Sequence, residues 1–108
     1  MSGWIDVLGS DAIRESEGVG VNTPIGRIGV FRVQGQYFAC DDTCPHGQAN
    51  LSDGFVDDYD IECPLHQGRF DLRTGEAKCP PVVGRIRIYP AKTEGGRVLI
   101  DIGTKSGD

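Results

Sequence analysis

The chain has 108 residues, 38% of them hydrophobic, and a net charge of −5, which fits one small globular domain spanning residues 1–108. No apolar run approaches the roughly 20 residues of a membrane-crossing helix. No basic-then-apolar N-terminal stretch resembles a secretion signal, so a cytoplasmic protein is expected, and the acidic balance argues against nucleic acid as its partner.

Sixteen glycines favour a turn-rich β protein over a helical one. Residues 4–8 are expected to form a first strand, followed by one helical turn through Ala12, Ile13 and Arg14 with Ser10 as its N-cap. Residues 19–22 and 28–33 are expected as strands joined across Thr23, Pro24, Ile25 and Gly26, and Gly35 and Gln36 turn the chain into residues 37–40. Residues 85–89 alternate apolar and polar, as do 97–102, and Glu94, Gly95 and Gly96 form the expected hairpin turn between them. Residues 41–82 differ in character. They hold both His, three of the four Cys and four of the six Pro, and are expected to form an irregular insert on a β scaffold.

The charge is equally uneven. Seven acids (Asp41, Asp42, Asp53, Asp57, Asp58, Asp60 and Glu62) fall in a stretch without Lys or Arg, leaving nine acids against eleven bases elsewhere. Such a run forms either a solvated loop or a docking face for a basic partner.

Both histidines belong to one repeated pattern: Cys44-Pro45-His46, sixteen residues, then Cys63-Pro64-Leu65-His66. Gly47 and Gly68 follow, where a backbone can turn tightly around a bulky group. Two loops that each give a thiolate and an imidazole can clamp a [2Fe–2S] cluster, two Cys on one iron and two His on the other. Tetrahedral zinc also accepts two Cys and two His, but usually takes a Cys pair from one knuckle and a His pair from a helix. Here the ligands alternate, and no helix is expected after the second pair. Cys40 ends an apolar strand, as a small buried hydrophobe would. Cys79 precedes Pro80-Pro81, and the two spare cysteines could also pair with each other.

The run Cys44-Pro45-His46-Gly47 … Cys63-Pro64-Leu65-His66-Gln67-Gly68-Arg69-Phe70-Asp71, with Gly75 and Pro80-Pro81 downstream, resembles the Rieske family, and within it the small ferredoxins of bacterial oxygenase systems. The resemblance implies an all-β fold of three small antiparallel sheets. It implies one [2Fe–2S] cluster on Cys44, His46, Cys63 and His66 at one tip of a cluster-binding part of about 41–82, and a loop around Pro80 and Pro81 closing over it. Respiratory and photosynthetic members tie their cluster loops with a disulfide, but Leu65 stands at one of its positions, and Gln48, Ala49 and Asn50 supply no Cys. Those members also bring Ser and Tyr hydroxyls to sulfur where this chain has Gly68 and Phe70. A cluster without those donors is harder to reduce, which implies the low end of the Rieske range of roughly −150 to +300 mV.

The resemblance thus implies a monomeric one-electron carrier between a flavin-dependent ferredoxin reductase and a terminal oxygenase of aromatic degradation. The alternative is the small subunit of another redox enzyme, such as an assimilatory nitrite reductase. A complete oxygenase would need a further site of two His and a carboxylate, and both His are already committed. The oxidised substrate is the partner's choice, not this chain's.

Overall fold

The computed structural model describes residues 3–44, 49–64, 68–78 and 85–103. The described elements, in order, are β1 (Trp4–Gly9), a 3₁₀ turn (Ser10–Ala12), β2 (Glu17–Thr23), β3 (Gly26–Val33), β4 (Gln36–Asp41), a second 3₁₀ turn (Leu51–Asp53), β5 (Phe55–Asp57), β6 (Asp60–Glu62), β7 (Arg69–Asp71), β8 (Ile88–Tyr89), β9 (Ala91–Glu94) and β10 (Arg97–Asp101). They pair into three antiparallel sheets, ordered β1-β10-β9, β2-β3-β4-β8 and β5-β6-β7.

The β2-β3-β4-β8 sheet is a wall between two cores. On one side Ile28 and Val30 of β3 and Ala39 of β4 pack with Ile13, Tyr89, Val98 and Ile100. On the other side Phe31 and Val33 of β3 and Cys40 of β4 pack with Cys44, Leu51, Ile61, Cys63, Phe70 and Ile86. A strand buried on both faces needs apolar residues at successive positions, and residues 28–31 are all buried. Glycines leave room on the site-facing side. A Cβ at Gly18 would overlap the Phe31 ring, and one at Gly20 would overlap the Arg27 guanidinium.

The scaffold strands agree with the sequence except in detail. The first turn is capped by Gly9 without a side-chain hydrogen bond. Ser10 lies inside that turn, and its carbonyl accepts the Tyr37 hydroxyl at 2.9 Å. The β3–β4 turn is Gln34-Gly35, both at positive φ, so Gln36 already belongs to β4. The β10 hairpin partner is not the alternating 85–89 segment but β9, across Gly95-Gly96. Residues 85–89 shrink to β8, which pairs with the end of β4. The middle of the chain is not simply irregular: β5, β6 and β7 give it a sheet of its own.

Candidate metal centre

Two loops carry the Cys-His pairs, and they are closed in the same way. In the first, Thr43 bridges Asn50, and the Cys44 N–H donates to the Ala49 carbonyl at 2.9 Å. In the second, Glu62 pairs with Arg69, and the Cys63 N–H donates to the Gly68 carbonyl at 2.8 Å. In each case the residue before the Cys pairs with the residue seven positions on. Both thiols are shielded from water, with Cys44 1% and Cys63 0% exposed, and both belong to the same core.

His46 and His66 lie outside the described residues, as do Gly47, Gln48, Leu65, Cys79, Pro80 and Pro81. Among the described residues no three His, Cys, Asp or Glu side chains gather as a metal site. Phe70, fully buried opposite Ile61, shares the core of the two cysteines and brings no hydroxyl there. Gly68 supplies the carbonyl that closes the second loop. The pair of buried thiols, each starting a loop that contains one His, fits a cluster clamped from two sides.

The stems of the loops are tied down by polar groups that sequence reasoning missed. Asp42, two residues before Cys44, is 0% exposed. Its carboxylate accepts from Arg27 Nε at 2.6 Å, from the Ser52 N–H at 2.7 Å and from the Ser52 hydroxyl at 3.0 Å. One buried carboxylate thus fastens the first loop to β3 and to the Leu51–Asp53 turn. Its closeness to Cys44 was the available signal. Arg27, seventeen positions from Cys44, gave none. Asp41, next to it, accepts the Tyr89 hydroxyl at 2.6 Å. Burial first, and this bond second, push the Tyr89 hydroxyl up to about 12. On the far side, the Gly75 carbonyl accepts the Ile86 N–H at 2.8 Å, and Glu76 bridges Arg85. These bonds hold together the two ends from which segment 79–84 departs. Gly75 has φ +82, and a Cβ there would overlap the Ile86 carbonyl.

The acidic run does not form a free acidic cap. Six of its seven acids are engaged by groups from other segments or from within the run's own sheet. Arg69 meets Asp57 at 2.9 Å, Glu62 at 3.2 Å and Asp60 at 3.8 Å, and Lys78 reaches Asp60 at 3.5 Å. Gln34 donates to Asp58 at 3.0 Å, while Asp41 and Asp42 are held as described. The β5–β6 turn also lies at the opposite end of β6 from Cys63, so Asp57, Asp58 and Asp60 stand about 10 Å from the loop stem along the strand. Cys40 is fully buried opposite Ile88, and burial keeps its thiol protonated, as expected for a small hydrophobe.

Comparison with known proteins agrees with this arrangement. The naphthalene 1,2-dioxygenase ferredoxin component of Pseudomonas aeruginosa is 46% identical over 92% of this chain and 95% of its own. The solved ferredoxin of Sphingomonas yanoikuyae B1 superposes with a TM-score of 0.84 at 38% identity, covering 90% of this chain and 96% of that one. A chain from the complex of reduced oxygenase and oxidised ferredoxin in carbazole 1,9a-dioxygenase gives 0.88 at 31% identity, covering 97% of each. Two chains assigned provisionally as nitrite reductase small subunits match at 25% and 19% identity. The family model for the Rieske [2Fe–2S] domain matches residues 3–90, and with the paired Cys-His loops and three small sheets in place, the chain belongs to that family.

Proposed function

We propose that this chain is a Rieske ferredoxin: it takes single electrons from a flavin-dependent reductase and delivers them to the terminal oxygenase of an aromatic-ring dioxygenase system. The observation that carries the reading is the pair of identically closed loops whose buried cysteines meet in one core. The ferredoxin relatives, alike along nearly their whole length, support the oxygenase branch over the nitrite reductase one.

The ligand set in this reading is Cys44, His46, Cys63 and His66 on a single domain, 1–108, with the cluster part at about 41–82. When bound, the cluster accepts and releases one electron without bond chemistry on a substrate. The chain's own residues do the rest. The Phe31–Phe70 core keeps water from the thiolates, and Asp42 and Gly75 hold the stems so that the site changes little between charge states. A monomer in the cytoplasm is part of the reading. No helix among the described residues is long and apolar enough to cross a membrane.

The test is direct. The purified protein should contain about two irons and two acid-labile sulfides per chain and carry a red-brown colour. It should then be reduced by NADH with a ferredoxin reductase and reoxidised by a dioxygenase terminal component. Stoichiometric zinc and no visible absorption would overturn the reading.

A further inference from the structure

We propose that Arg27 and Asp42 together set the potential at which the cluster accepts its electron, the guanidinium cancelling a buried negative charge that would otherwise oppose reduction. The inference rests on the carrier reading above and adds a tuning role to a pair so far described only as a fastening.

Three acids are buried among the described residues: Asp42 at 0%, Asp101 at 4% and Asp71 at 7% exposure. Asp101 ends β10, in the sheet β1-β10-β9. Asp71 ends β7, eight residues beyond Cys63, and is met by Arg73 and Lys78. Asp42 alone of the three stands two residues from a cysteine of the ligand set, Cys44.

Asp42 lies between Cys40 and Cys44, and both belong to the core that holds Cys63, Phe31 and Phe70. Its carboxylate reaches the edge of that core across Gly29. A Cβ there would come within 2.9 Å of both Asp42 Oδ1 and the Phe31 ring. The charge is felt at a neighbouring thiol: burial pushes Cys40 up first, and Asp42 comes next, ahead of Asp41. Two peptide units separate Asp42 from Cys44, at most about 7 Å between backbones. Both side chains are buried, which places the carboxylate about 10 Å from the Cys44 sulfur. At that distance, in a medium of effective dielectric about 20, a unit charge changes the affinity for an electron roughly tenfold.

Arg27 removes that opposition. Its Nε donates to Asp42 Oδ2 at 2.6 Å, and among the described residues it forms no ion pair with another acid. The two hydrogen bonds from Ser52 to the same carboxylate carry no net charge, so the cancellation falls to the guanidinium.

Redox titration of the cluster-loaded protein, followed by visible circular dichroism, tests this. Arg27→Met leaves Asp42 uncompensated and should weaken reduction about tenfold, a fall of about 59 mV for one electron. Asp42→Asn leaves the guanidinium uncompensated and should raise the midpoint. That rise should be only about threefold in the equilibrium, because the Arg27 side chain is 40% exposed and water screens it. The double variant should return close to the wild-type midpoint. Arg27→Lys keeps the charge without the Nε bond, so it should lose stability and hold the midpoint. The Arg27→Met shift should persist at high salt, since the carboxylate is buried. A fastening role alone would destabilise both single variants without moving their midpoints in opposite directions. Single variants that shift the same way, or not at all, would overturn the proposal, as would Arg27→Lys shifting as far as Arg27→Met. A wild-type chain that loads no iron, or shows no one-electron couple, would instead overturn the carrier reading itself.

Discussion

Arg27→Met isolates the polar tie behind the first ligand loop. The methionine keeps an apolar stem over Gly20 and removes the guanidinium that meets Asp42. Asp42 is 0% exposed and retains two hydrogen bonds from Ser52. A buried charge stripped of its partner costs about 3–5 kcal/mol, and the surviving bonds place this case near 3. Asp42→Asn acts on the other side of the pair. The Arg27 side chain is 40% exposed and can turn to water, so the loss is that of charge-assisted hydrogen bonds, about 2 kcal/mol. The double variant leaves no buried charge and should be more stable than Arg27→Met alone. In thermal unfolding of the cluster-loaded protein, followed by circular dichroism, 3 kcal/mol corresponds to a fall of about 15 °C. Bleaching of the visible absorption should accelerate in the same order. A fall below about 5 °C for Arg27→Met, or a double variant that loses the sum of the two singles, would show that the pair does not act as one unit.

Phe70→Tyr places a hydroxyl in the core shared by both cysteines. If its bond to sulfur strengthens by about 1 kcal/mol on reduction, the midpoint potential should rise by about 40 mV in redox titration, and a fall with the cluster intact would contradict the donor argument. Tyr89→Phe removes the bond to Asp41 and should cost about 1 kcal/mol at neutral pH in denaturant titration. Because the folded-state value of Tyr89 is raised to about 12, the native state keeps a proton that the unfolded state releases from about pH 10. Wild-type stability should fall between those values, and the phenylalanine variant should lose the Tyr89 contribution to that fall. Gly75→Ala should destabilise by about 2 kcal/mol and speed cluster loss, because its φ of +82 and its contact with the Ile86 carbonyl leave no room for a methyl group.

The longer strands were legible because periodicity had room to show: residues 4–8 and 28–33 each sit within an observed strand, and 97–102 runs one residue past the end of β10. β5, β6 and β7 have three residues each, too few for a period, and their outward Asp57, Asp60 and Glu62 look like loop. β9 was hidden because Lys92, Thr93 and Glu94 are exposed and Pro90 precedes them. Residues 85–89 show the converse error. Their alternation reports which side chains are buried but not which strand they pair with, and Pro90 separates them from the hairpin. That Cys44 and Cys63 share one core follows from two loops of like sequence, a pattern visible because each loop is local. The closure of each loop by its own Cys N–H, and the reach of Arg27 and Arg69 to acids far along the chain, were not visible, because charge in a linear run says nothing about cations brought in by folding.

The repeated loop closure also bears on how the protein is assembled. Each Cys-His loop is closed by partners only seven residues apart, so either closure can form quickly and alone. The slower search is to bring the two loops together, and most of that distance is bridged by the short β5–β6 hairpin, itself built from neighbours in sequence. A newly made chain can therefore close both cysteine loops before the scaffold sheet β1-β10-β9 forms, since that sheet must wait for residues 91–101 to join β1. A chain truncated before β10 should therefore still bring the two cysteine loops together, as cluster incorporation into that truncated chain would show.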